Sequence, residues 1–475
     1  MTAPSPPPPA DQPYLIAVVG AGPSGIYAAE ALTQQTEVDV RVVVIDRLPV
    51  PFGLVRYGVA PDHPSIRSIR TTLERTLDRP EVSFFGDVAI GRDLTVDELT
   101  AHTDATIYAF GAGTSRRLDI PGEDAAGSIT APDLVSWYTG NPDFHEHRRI
   151  HPPVDRPEPV RTMTPAELLD GLSSAVVVGG GNVALDVARI LAKDADELAT
   201  TDMAEDVLAA LRGKDTTDVH LLIRRGPAQT TMTTKEVREL GRIADCQVRV
   251  HPSDLDWEAE RAAASGRIAQ RNVTEFESFA EPSPSARRRI HLHFWTSPTK
   301  IITTDGRVSA VAMTDTRPGT DRHATTELAA GLVVRAIGYR GIALPGLPFD
   351  QSTGRVPHDE GRVLTADGDQ VPGAYVAGWI KRGPTGVIGT NKSDAVESVQ
   401  SLLHDLAETE VPPGHPSGLD DLTALLASRG VTPLDLPAWH RIDAAEVDQG
   451  IRSGRDRATL AHRDELLAAA EQSDG

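Results

Sequence analysis

Cysteine is almost absent from this sequence, since Cys246 is the only one in 475 residues. A single thiol cannot form an internal disulfide, a CxxC redox pair or the four-cysteine site of an iron–sulfur cluster. Any dithiol or cluster that takes part in the chemistry must therefore belong to a partner protein. We expect Cys246 itself to be an ordinary small side chain.

Long apolar runs and an excess of basic residues are also missing. No run is long enough to cross a bilayer and no basic-then-apolar signal opens the chain, so we expect a cytoplasmic protein without membrane contact. The 47 Lys and Arg residues against 68 Asp and Glu residues give a net charge of −21. Nucleic acids bind basic surfaces, so this balance argues against a nucleic-acid partner. The length predicts two or three domains, and the proline-rich residues 1–13 predict a disordered tail.

A glycine-rich turn between a strand and a helix follows this tail. Residues 15–19 are apolar and β-branched, as in a buried parallel strand, and the sequence GAGPSG at 20–25 comes directly after them. Gly20 permits the tight turn, Gly22 lets a pyrophosphate approach the backbone, and Gly25 lets helix and strand pack closely. The helix that follows directs its amide groups and its dipole at the phosphates. The pattern predicts a dinucleotide site.

Two further features strengthen this prediction. Asp46 ends the next apolar strand, at 40–45, where an acidic residue accepts the ribose hydroxyls. The strand–glycine–helix pattern then recurs, with a strand at 175–178, glycines at 179–181 and Asn182 at the helix start. The first glycine pattern alone does not distinguish FAD from NAD(P), and the second indicates either a second cofactor or a duplicated fold with one inactive site. The polar Asn182 favours an active site.

The nucleotide choice of the second site is indicated by Arg224 and Arg225. They follow the strand at 218–223, where an NAD site would place an acidic residue for the ribose 2′-hydroxyl. A pair of guanidinium groups grips a 2′-phosphate instead, so the second site is predicted to select NADP. Glu236, at the start of the next helical stretch, is placed to meet the ribose.

Several other segments leave alternatives open. The Pro- and Gly-rich residues 47–64 lie either against a flat ring system or over their own side chains, and His63 within them either relays protons or is structural. The segment 373–380 is predicted as a strand, followed by a glycine-rich loop and a helix starting near Lys392. Trp379 in that strand suits either stacking on a cofactor ring or the core. His291 and His293 share one strand face, but no third ligand is apparent and we expect no metal site.

These motifs together resemble the adrenodoxin reductase-type family of NADPH–ferredoxin reductases, in its bacterial branch. The resemblance covers nearly the whole chain apart from residues 1–13 and is loosest after about Leu403. It implies an α/β fold with two Rossmann-like dinucleotide-binding domains, the NADP domain (114–343) being inserted into a discontinuous FAD domain (14–113 and 344–475). The matching segments are Gly20–Gly25, Gly53–Pro64 (GLVRYGVAPDHP), Ile120–Glu123, Gly179–Ile190 (GGGNVALDVARI), Gly338–Tyr339 and Gly378–Lys392 (GWIKRGPTGVIGTNK).

The resemblance also implies roles for individual residues, with Gly180 a mild departure because relatives often carry a polar residue there. The FAD-binding set is Gly20, Gly22, Pro23, Gly25, Asp46, Leu54, Val88, Trp379, Gly386, Val387 and Ile388. The NADPH-binding set is Arg116, Gly180, Gly181, Asn182, Val183, Arg224, Arg225, Glu236 and Gly386. The positions that match the proposed proton relay of the family are His63, Asp186 and Glu239.

The implied activity is hydride transfer from NADPH to FAD, then release of single electrons to a separate ferredoxin. Ferredoxins are usually acidic, so docking on this acidic chain needs a local basic patch, for which we predict Arg238, Arg267 and Arg271. We expect a monomer. The alternative is an NADPH-dependent flavoprotein with another acceptor, such as a quinone or, as in flavin monooxygenases, oxygen. A disulfide reductase is excluded because it needs a cysteine pair, and a non-catalytic NADP-binding sensor would turn over no acceptor.

Overall fold

The computed structural model describes residues 13–145, 164–251, 255–280, 286–319, 324–408 and 418–472, so the predicted tail lies outside the described residues except for Pro13. The strands are, in chain order, β1 (Tyr14–Val19), β2 (Val40–Ile45), β3 (Val82–Phe85), β4 (Ala105–Tyr108), β5 (Thr114–Ser115), β6 (Ser128–Thr130), β7 (Ser174–Val178), β8 (Asp218–Ile223), β9 (Cys246–His251), β10 (Arg288–Phe294), β11 (Thr296–Thr304), β12 (Arg307–Asp315), β13 (Thr325–Ala329), β14 (Leu332–Arg335), β15 (Tyr339–Arg340), β16 (His358–Asp359), β17 (Arg362–Leu364) and β18 (Gln370–Val376).

The helices show the alternation with strands that is typical of α/β proteins. They are α1 (Pro23–Gln34), α2 (Leu54–Tyr57), α3 (Pro64–Arg67), α4 (Ile69–Leu77), α5 (Val96–His102), α6 (Ala131–Tyr138), α7 (Pro142–His145), α8 (Pro165–Leu169), α9 (Asn182–Ala192), α10 (Ala195–Leu198), α11 (Glu205–Arg212), α12 (Thr234–Leu240), α13 (Trp257–Ala263), α14 (Gly266–Ser278), α15 (Trp379–Arg382), α16 (Thr390–Glu408), α17 (Gly418–Ser428), α18 (Leu436–Arg452) and α19 (Arg463–Glu471). No helix in these ranges is long and apolar enough to span a membrane.

The chain divides into two compact units, and the first is discontinuous in sequence. Unit 1 comprises residues 1–59, 63–114 and 339–475, and unit 2 comprises residues 60–62 and 115–338.

Unit 1 is built on a sheet with the strand order β16-β17-β18-β4-β1-β2-β3. The five strands from β18 to β3 are parallel, with β1 between β4 and β2. Ile16 and Val18 belong to one apolar cluster and Ala17 and Val19 to another, so β1 is buried on both faces. This double burial explains why the strand is continuously apolar in sequence. In such a sheet, ligands bind at the carboxyl ends of the strands, where the strand order reverses beside β1.

Unit 2 repeats this plan and adds an antiparallel sheet. Its parallel sheet has the order β6-β14-β7-β8-β10-β9, with β7 between β14 and β8. The three strands β11, β12 and β13 form a separate antiparallel sheet, which was not predicted from the sequence. Two parallel sheets of this kind confirm the prediction of two Rossmann-like dinucleotide-binding domains.

One predicted strand is partly wrong. β18 ends at Val376, and Trp379 and Ile380 belong to the short helix α15 rather than to the strand. Gly378 adopts a φ of +79°, a left-handed conformation that turns the chain out of the sheet. The helix predicted near Lys392 begins at Thr390.

Residues 47–59 of the Pro- and Gly-rich segment pack into the core of unit 1. Phe52 and Tyr57 are buried, and the ring of Phe52 meets the edge of Trp439 on α18 with centroids 5.5 Å apart. The buried Arg56 guanidinium pairs with the carboxylate of Glu446 on the same helix. A buried charge without a partner is costly, so this ion pair fixes the segment against α18.

Candidate functional site

The glycines of the first turn have three different environments. A Cβ on Gly20, whose φ is +112°, would lie 2.6 Å from the carbonyl oxygen of Ala109, and a Cβ on Gly25 would lie 1.9 Å from the carbonyl oxygen of Gly20. At these two positions, neighbouring backbone atoms leave no room for a side chain. A Cβ on Gly22 would meet only the Cα of Gly53, at 3.9 Å. Gly22 therefore borders open space, as the approach of a pyrophosphate requires.

The start of α1 suits an anion. Gly22 is the N-cap, Pro23 occupies the first turn, and the first turn carries no acidic residue. The first-turn amides of a helix have no partner within the helix and attract negative charge. Asp46, after β2, accepts hydrogen bonds from the amides of Ala21 (2.7 Å) and Leu48 (2.9 Å). Its carboxylate is thereby fixed beside the turn, at the carboxyl end of the sheet.

The second turn has the same arrangement. Gly179 has a φ of +155°, and a Cβ there would lie 2.3 Å from the carbonyl oxygen of Ala336. Gly181, the N-cap of α9, faces open space apart from Thr231 Oγ1 at 3.6 Å. Gly180 has less room, since its Cβ would lie 3.2 Å from Ile223. The first turn of α9 again carries no acidic residue, so this turn also fits a phosphate.

Among the polar residues beside the second turn, Asn182 is held by a hydrogen bond, whereas the arginines are exposed to solvent. The side-chain oxygen of Asn182 accepts a hydrogen bond from the amide of Thr233 (2.8 Å), which caps α12. Arg224 and Arg225 follow β8, and both are exposed. In the described ranges neither guanidinium has an ion-pair partner. Arg116 is also exposed.

The buried guanidinium of Arg189 on α9 lies among four acidic residues of unit 2. Its nitrogens lie 2.7 Å from Asp62, 2.8 Å from Asp186 and 3.3 Å from Glu236. Glu239 lies slightly farther away, at 3.7 Å. Two predicted relay residues, Asp186 and Glu239, therefore share one cation with the predicted NADPH ligand Glu236. We call these four carboxylates and Arg189 the Arg189 cluster.

The carboxylates of the Arg189 cluster differ in their acidity. Burial and the charge of Asp186 raise the pKa of Glu236 to about 7, although Arg189 acts in the opposite direction. Burial alone would also raise the pKa of Asp62, but its hydrogen bonds and charge interaction with Arg189 outweigh that effect and lower its pKa. Glu236 therefore binds a proton near neutral pH while Asp62 stays ionised. Groups with such separated pKa values are typical of sites that handle protons.

Arg189 and Asp62 were not identified from the sequence. Asp186 and Arg189 are three residues apart, so both lie on one face of a helix, and this spacing alone predicts an ion pair between them. The proximity of Asp62 depends on the tertiary structure and gives no local signal.

The residues expected around the flavin belong to unit 1. Leu54 begins α2 and is half-buried, and Val88 is buried just after β3. The half-buried ring of Trp379 lies beside Tyr339, with centroids 5.3 Å apart. Gly386 and Val387 are exposed and Ile388 is half-buried; 68% of Val387 is accessible. An exposed apolar side chain beside glycines and the start of α16 fits a planar ring.

His63 lies at the start of α3 and Cys246 at the start of β9. His63 is buried as the N-cap of α3, and its carbonyl accepts a hydrogen bond from the amide of Ile66 (3.0 Å). Cys246 begins β9, and burial raises the pKa of its thiol to about 11. The thiol therefore stays protonated at neutral pH and is a poor nucleophile.

Three comparisons with known proteins all match this chain to oxidoreductases that use pyridine nucleotides. The chain is similar to the NADPH-ferredoxin reductase FprA of Mycobacterium leprae, at 41% identity over 95% of this chain and 97% of that protein. It is 36% identical to the mitochondrial NADPH:adrenodoxin oxidoreductase of Arabidopsis thaliana, over 97% of this chain and 96% of that protein. A solved structure of FprA of Mycobacterium tuberculosis in complex with NADPH has a TM-score of 0.86 and 39% identity, covering 97% of this chain and 100% of that chain. A family model described as pyridine nucleotide-disulphide oxidoreductase matches residues 14–240.

Proposed function

This chain belongs to the family of NADPH–ferredoxin reductases that includes the adrenodoxin reductases, and from that membership we propose which of its residues carry each part of the reaction. It is an FAD-dependent oxidoreductase that moves electrons from NADPH to a ferredoxin-type iron–sulfur protein. The observation that carries the assignment of roles is the repeated turn: two glycine sites border open space, and only the second is followed by two exposed arginines.

We assign NADPH to unit 2. Gly180, Gly181 and Val183 supply backbone at the phosphates, and Asn182 holds the start of α12 in place. Arg224 and Arg225 would grip the 2′-phosphate, because exposed guanidinium groups without an ion-pair partner form bidentate hydrogen bonds with phosphate oxygens. Arg116, also exposed, and Gly386 complete the set that we propose. Glu236 keeps its proposed place near the ribose, and its proton allows it to donate a hydrogen bond.

We assign FAD to unit 1. The amides at the start of α1 would bind the pyrophosphate at Gly22, and Asp46 would accept the ribose hydroxyls. Leu54, Val88 and Trp379 would pack against the ring, together with the segment from Gly386 to Ile388. When bound, the flavin supplies the ability to accept two electrons together and to pass them on singly.

We propose that His63, Asp186 and Glu239 hold or move protons during turnover. For Asp186 and Glu239, the support is their place in the Arg189 cluster, where four carboxylates surround one guanidinium. Burial and the charge of Asp186 raise the pKa of Glu236 in this cluster to about 7, so the cluster holds a proton near neutral pH. For His63, the support is its burial, which shields the imidazole from bulk water.

We propose that ferredoxin docks on the exposed face of α14. Arg267 and Arg271 lie one turn apart on this helix and are exposed, with Ile268 beside them and 62% accessible. Two cations around an exposed apolar side chain form a surface that suits an acidic partner. Arg238 is a weaker candidate, because its guanidinium already pairs with Glu275 at 2.6 Å.

The docking proposal predicts that R267Q/R271Q loses about tenfold in kcat/KM for ferredoxin at low salt, because it removes two charges from the encounter surface. Reduction of ferricyanide, a small acceptor, should not change. The charge-matched control is R41Q/R75Q, which removes two exposed arginines of unit 1. Equal losses in both assays, or an equal loss in the control, would contradict docking on α14. Failure of the wild-type protein to reduce any ferredoxin would contradict the proposed function itself.

The expected monomeric state and cytoplasmic location stay predictions. Sedimentation of the purified protein tests the first, and cell fractionation tests the second.

A further inference from the structure

A cleft of about 390 Å³ lies at the amino-terminal edge of the parallel sheet in unit 2. Among its lining residues, Lys214 precedes β8, Arg288 begins β10 and Arg212 ends α11. Because β7, β8 and β10 are parallel, their carboxyl ends, which lead into the second glycine turn and Arg224, lie at the other edge. The cleft, which we call the Lys214 cleft, is therefore separate from the proposed NADPH site.

Basic and acidic side chains both line the Lys214 cleft. The basic residues are Arg212, Lys214, Arg287 and Arg288, and the acidic residues are Asp194, Asp196 and Asp215. In the whole chain, acidic residues outnumber basic ones, at 68 to 47, so the balance in this cleft is a local feature. The charges that are not already paired decide which ligand the cleft attracts.

Two of the three acidic side chains in the cleft already have partners. The carboxylate of Asp194 caps α10, where it accepts a hydrogen bond from the amide of Asp196 (3.1 Å). The carboxylate of Asp196 lies 3.7 Å from the guanidinium of Arg212, and both side chains are exposed. Asp215 is also exposed, so water and salt screen its charge. Apart from the Arg212–Asp196 pair, three cations face two carboxylates, which leaves an excess of positive charge.

The ammonium group of Lys214 lacks an ion-pair partner within the described ranges. Its Nζ donates a hydrogen bond to the backbone carbonyl of Lys193, so two of its three N–H groups have no acceptor among these residues. Lys214 is half-buried. Burial, and then the charge of Arg288, lower the pKa of Lys214 to about 8; Arg287 acts in the same direction, and Asp194 and Glu197 act against it. A bound anion would stabilise this ammonium group.

The guanidinium of Arg288 has one edge that makes no hydrogen bond to a described residue. Arg288 is buried, with 9% of its surface accessible, and its Nη1 donates to the carbonyl of Ala192 (3.1 Å). Its Nε is buried without a hydrogen-bond partner, and its Nη2 lies 3.6 Å from the carboxylate of Asp194, beyond hydrogen-bond distance. Guanidinium groups bind oxyanions through two parallel N–H groups of this kind. A buried donor without an acceptor is rare, and an oxyanion in the cleft would supply the acceptor.

We propose that the Lys214 cleft binds a phosphate group through Lys214, Arg287 and Arg288, either as free phosphate or as the phosphate ester of a small metabolite. The phosphate oxygens are acceptors for the ammonium of Lys214 and for the open edge of Arg288, and the exposed Arg287 adds a third cation. The volume of the cleft lies within the range of small-molecule sites, about 300–1,000 Å³, so an ester fits as well as the free ion. The bound phosphate connects the starts of β8 and β10, so it should stabilise unit 2.

The test is a calorimetric titration of the full-length holoprotein with inorganic phosphate at pH 7.5, in the presence of FAD and saturating NADP⁺. The two nucleotides occupy the glycine turns and Arg224, so phosphate cannot bind there. We expect one site with a Kd of about 1 mM or tighter, and at least tenfold weaker binding in K214Q/R287Q. The matched control is K300Q/R307Q, which removes an exposed lysine and an exposed arginine from the antiparallel sheet of unit 2 and should bind as the wild type does.

Titration with glycerol 3-phosphate distinguishes the two sources of the phosphate group. Tighter binding of this ester than of inorganic phosphate would assign the cleft to a phosphorylated metabolite. Equal or weaker binding of the ester would assign the cleft to free phosphate.

The conservative variant K214R keeps the test valid if K214Q/R287Q folds poorly. Because the pKa of Lys214 is about 8, its ammonium loses its proton between pH 7.5 and pH 9.5, whereas an arginine stays charged. Over this range, the phosphate affinity of the wild type should therefore fall at least threefold relative to that of K214R. The proposal would be overturned by a wild-type protein that binds no phosphate, by equal affinities of the wild type and K214Q/R287Q, by an equal loss in K300Q/R307Q, or by the same pH dependence in K214R.

Discussion

At the scale of single residues, the Arg189 cluster has more acidic groups than one guanidinium can neutralise. Arg189 pairs with Asp186 and with Glu236, while Lys193 contacts Asp62 at 2.9 Å and Lys235 contacts Glu239 at 3.9 Å. Burial, and then the charge of Asp186, raise the pKa of Glu236 to about 7. The carboxylate of Glu236 therefore holds its proton more tightly than an exposed glutamate does.

This arrangement predicts a pH-dependent effect of E236Q on stability. The pKa of Glu236 rises from its ordinary value of 4.5 to about 7 in the folded protein, so folding binds a proton and stability falls as pH rises through this range. Glutamine resembles the protonated acid. E236Q should therefore change the free energy of unfolding little at pH 4.5 and raise it by about 1 to 3 kcal/mol at pH 8.

Urea unfolding at both pH values measures this difference. The control is E258Q on α13, where an exposed carboxylate is replaced and no such pH dependence is expected. A stabilisation by E236Q that is equal at pH 4.5 and pH 8 would show that Glu236 does not change its protonation in this range, contrary to its raised pKa.

At the scale of elements, the two strand–glycine–helix units could be predicted from the sequence because each is built from contacts close in the chain. A strand, a turn that demands glycine and a helix leave their signals within about twenty residues. The hairpin of β11 and β12 also left a signal, which was missed in the sequence. Asp305 and Gly306 between these strands have φ values of 52° and 77°, as in the turn that Asp-Gly favours.

The group of four histidines on strands β8, β10 and β9 (His220, His251, His291 and His293) could not be predicted in the same way. His291 and His293 were recognised as sharing a face, but His220 and His251 reach them only because β10 lies between β8 and β9. That strand order is decided by packing of the whole unit and leaves no local pattern. Arg189 and Asp62 meet for the same reason, across 127 residues of sequence.

In the turn between β1 and α1, we expect an alanine at Gly25 to destabilise the fold and an alanine at Gly22 to weaken FAD binding. G25A places a Cβ 1.9 Å from the carbonyl oxygen of Gly20, so it should disrupt the packing of helix on strand and lower the stability of unit 1. G22A places its Cβ in open space at a φ of −76°, which alanine adopts without strain. G22A should therefore fold normally and weaken FAD binding at least tenfold.

Thermal unfolding of the apoproteins and FAD titration by flavin fluorescence separate the two effects. Two results would contradict these roles of the glycines: a G22A apoprotein as destabilised as G25A, or a G22A protein that binds FAD as tightly as the wild type.

At the scale of the whole molecule, two nucleotide-binding units in one chain let an acidic protein exchange electrons with two different carriers. With a single cysteine, the chain has no cluster of its own and needs a separate iron–sulfur partner. Its net charge of −21 repels acidic partners, so the docking that we propose on the arginines of α14 should weaken as salt screens their charges. The contacts that we propose for the flavin ring are not local in sequence. For this reason, the family resemblance added residues such as Leu54 and Val88 that no spacing indicated.

The most direct test of the central claim is anaerobic stopped-flow mixing of the purified protein with NADPH and, separately, with NADH. We predict a yellow protein whose flavin absorption bleaches about 100-fold faster with NADPH at equal, subsaturating concentrations, because two charge-assisted contacts to the 2′-phosphate are absent with NADH. R224S/R225S should bring the two rates together by slowing the reaction with NADPH alone. Equal bleaching by both nucleotides in the wild-type protein would contradict the role of Arg224 and Arg225, and a protein without flavin would contradict the assignment of FAD to the turn that begins at Gly20.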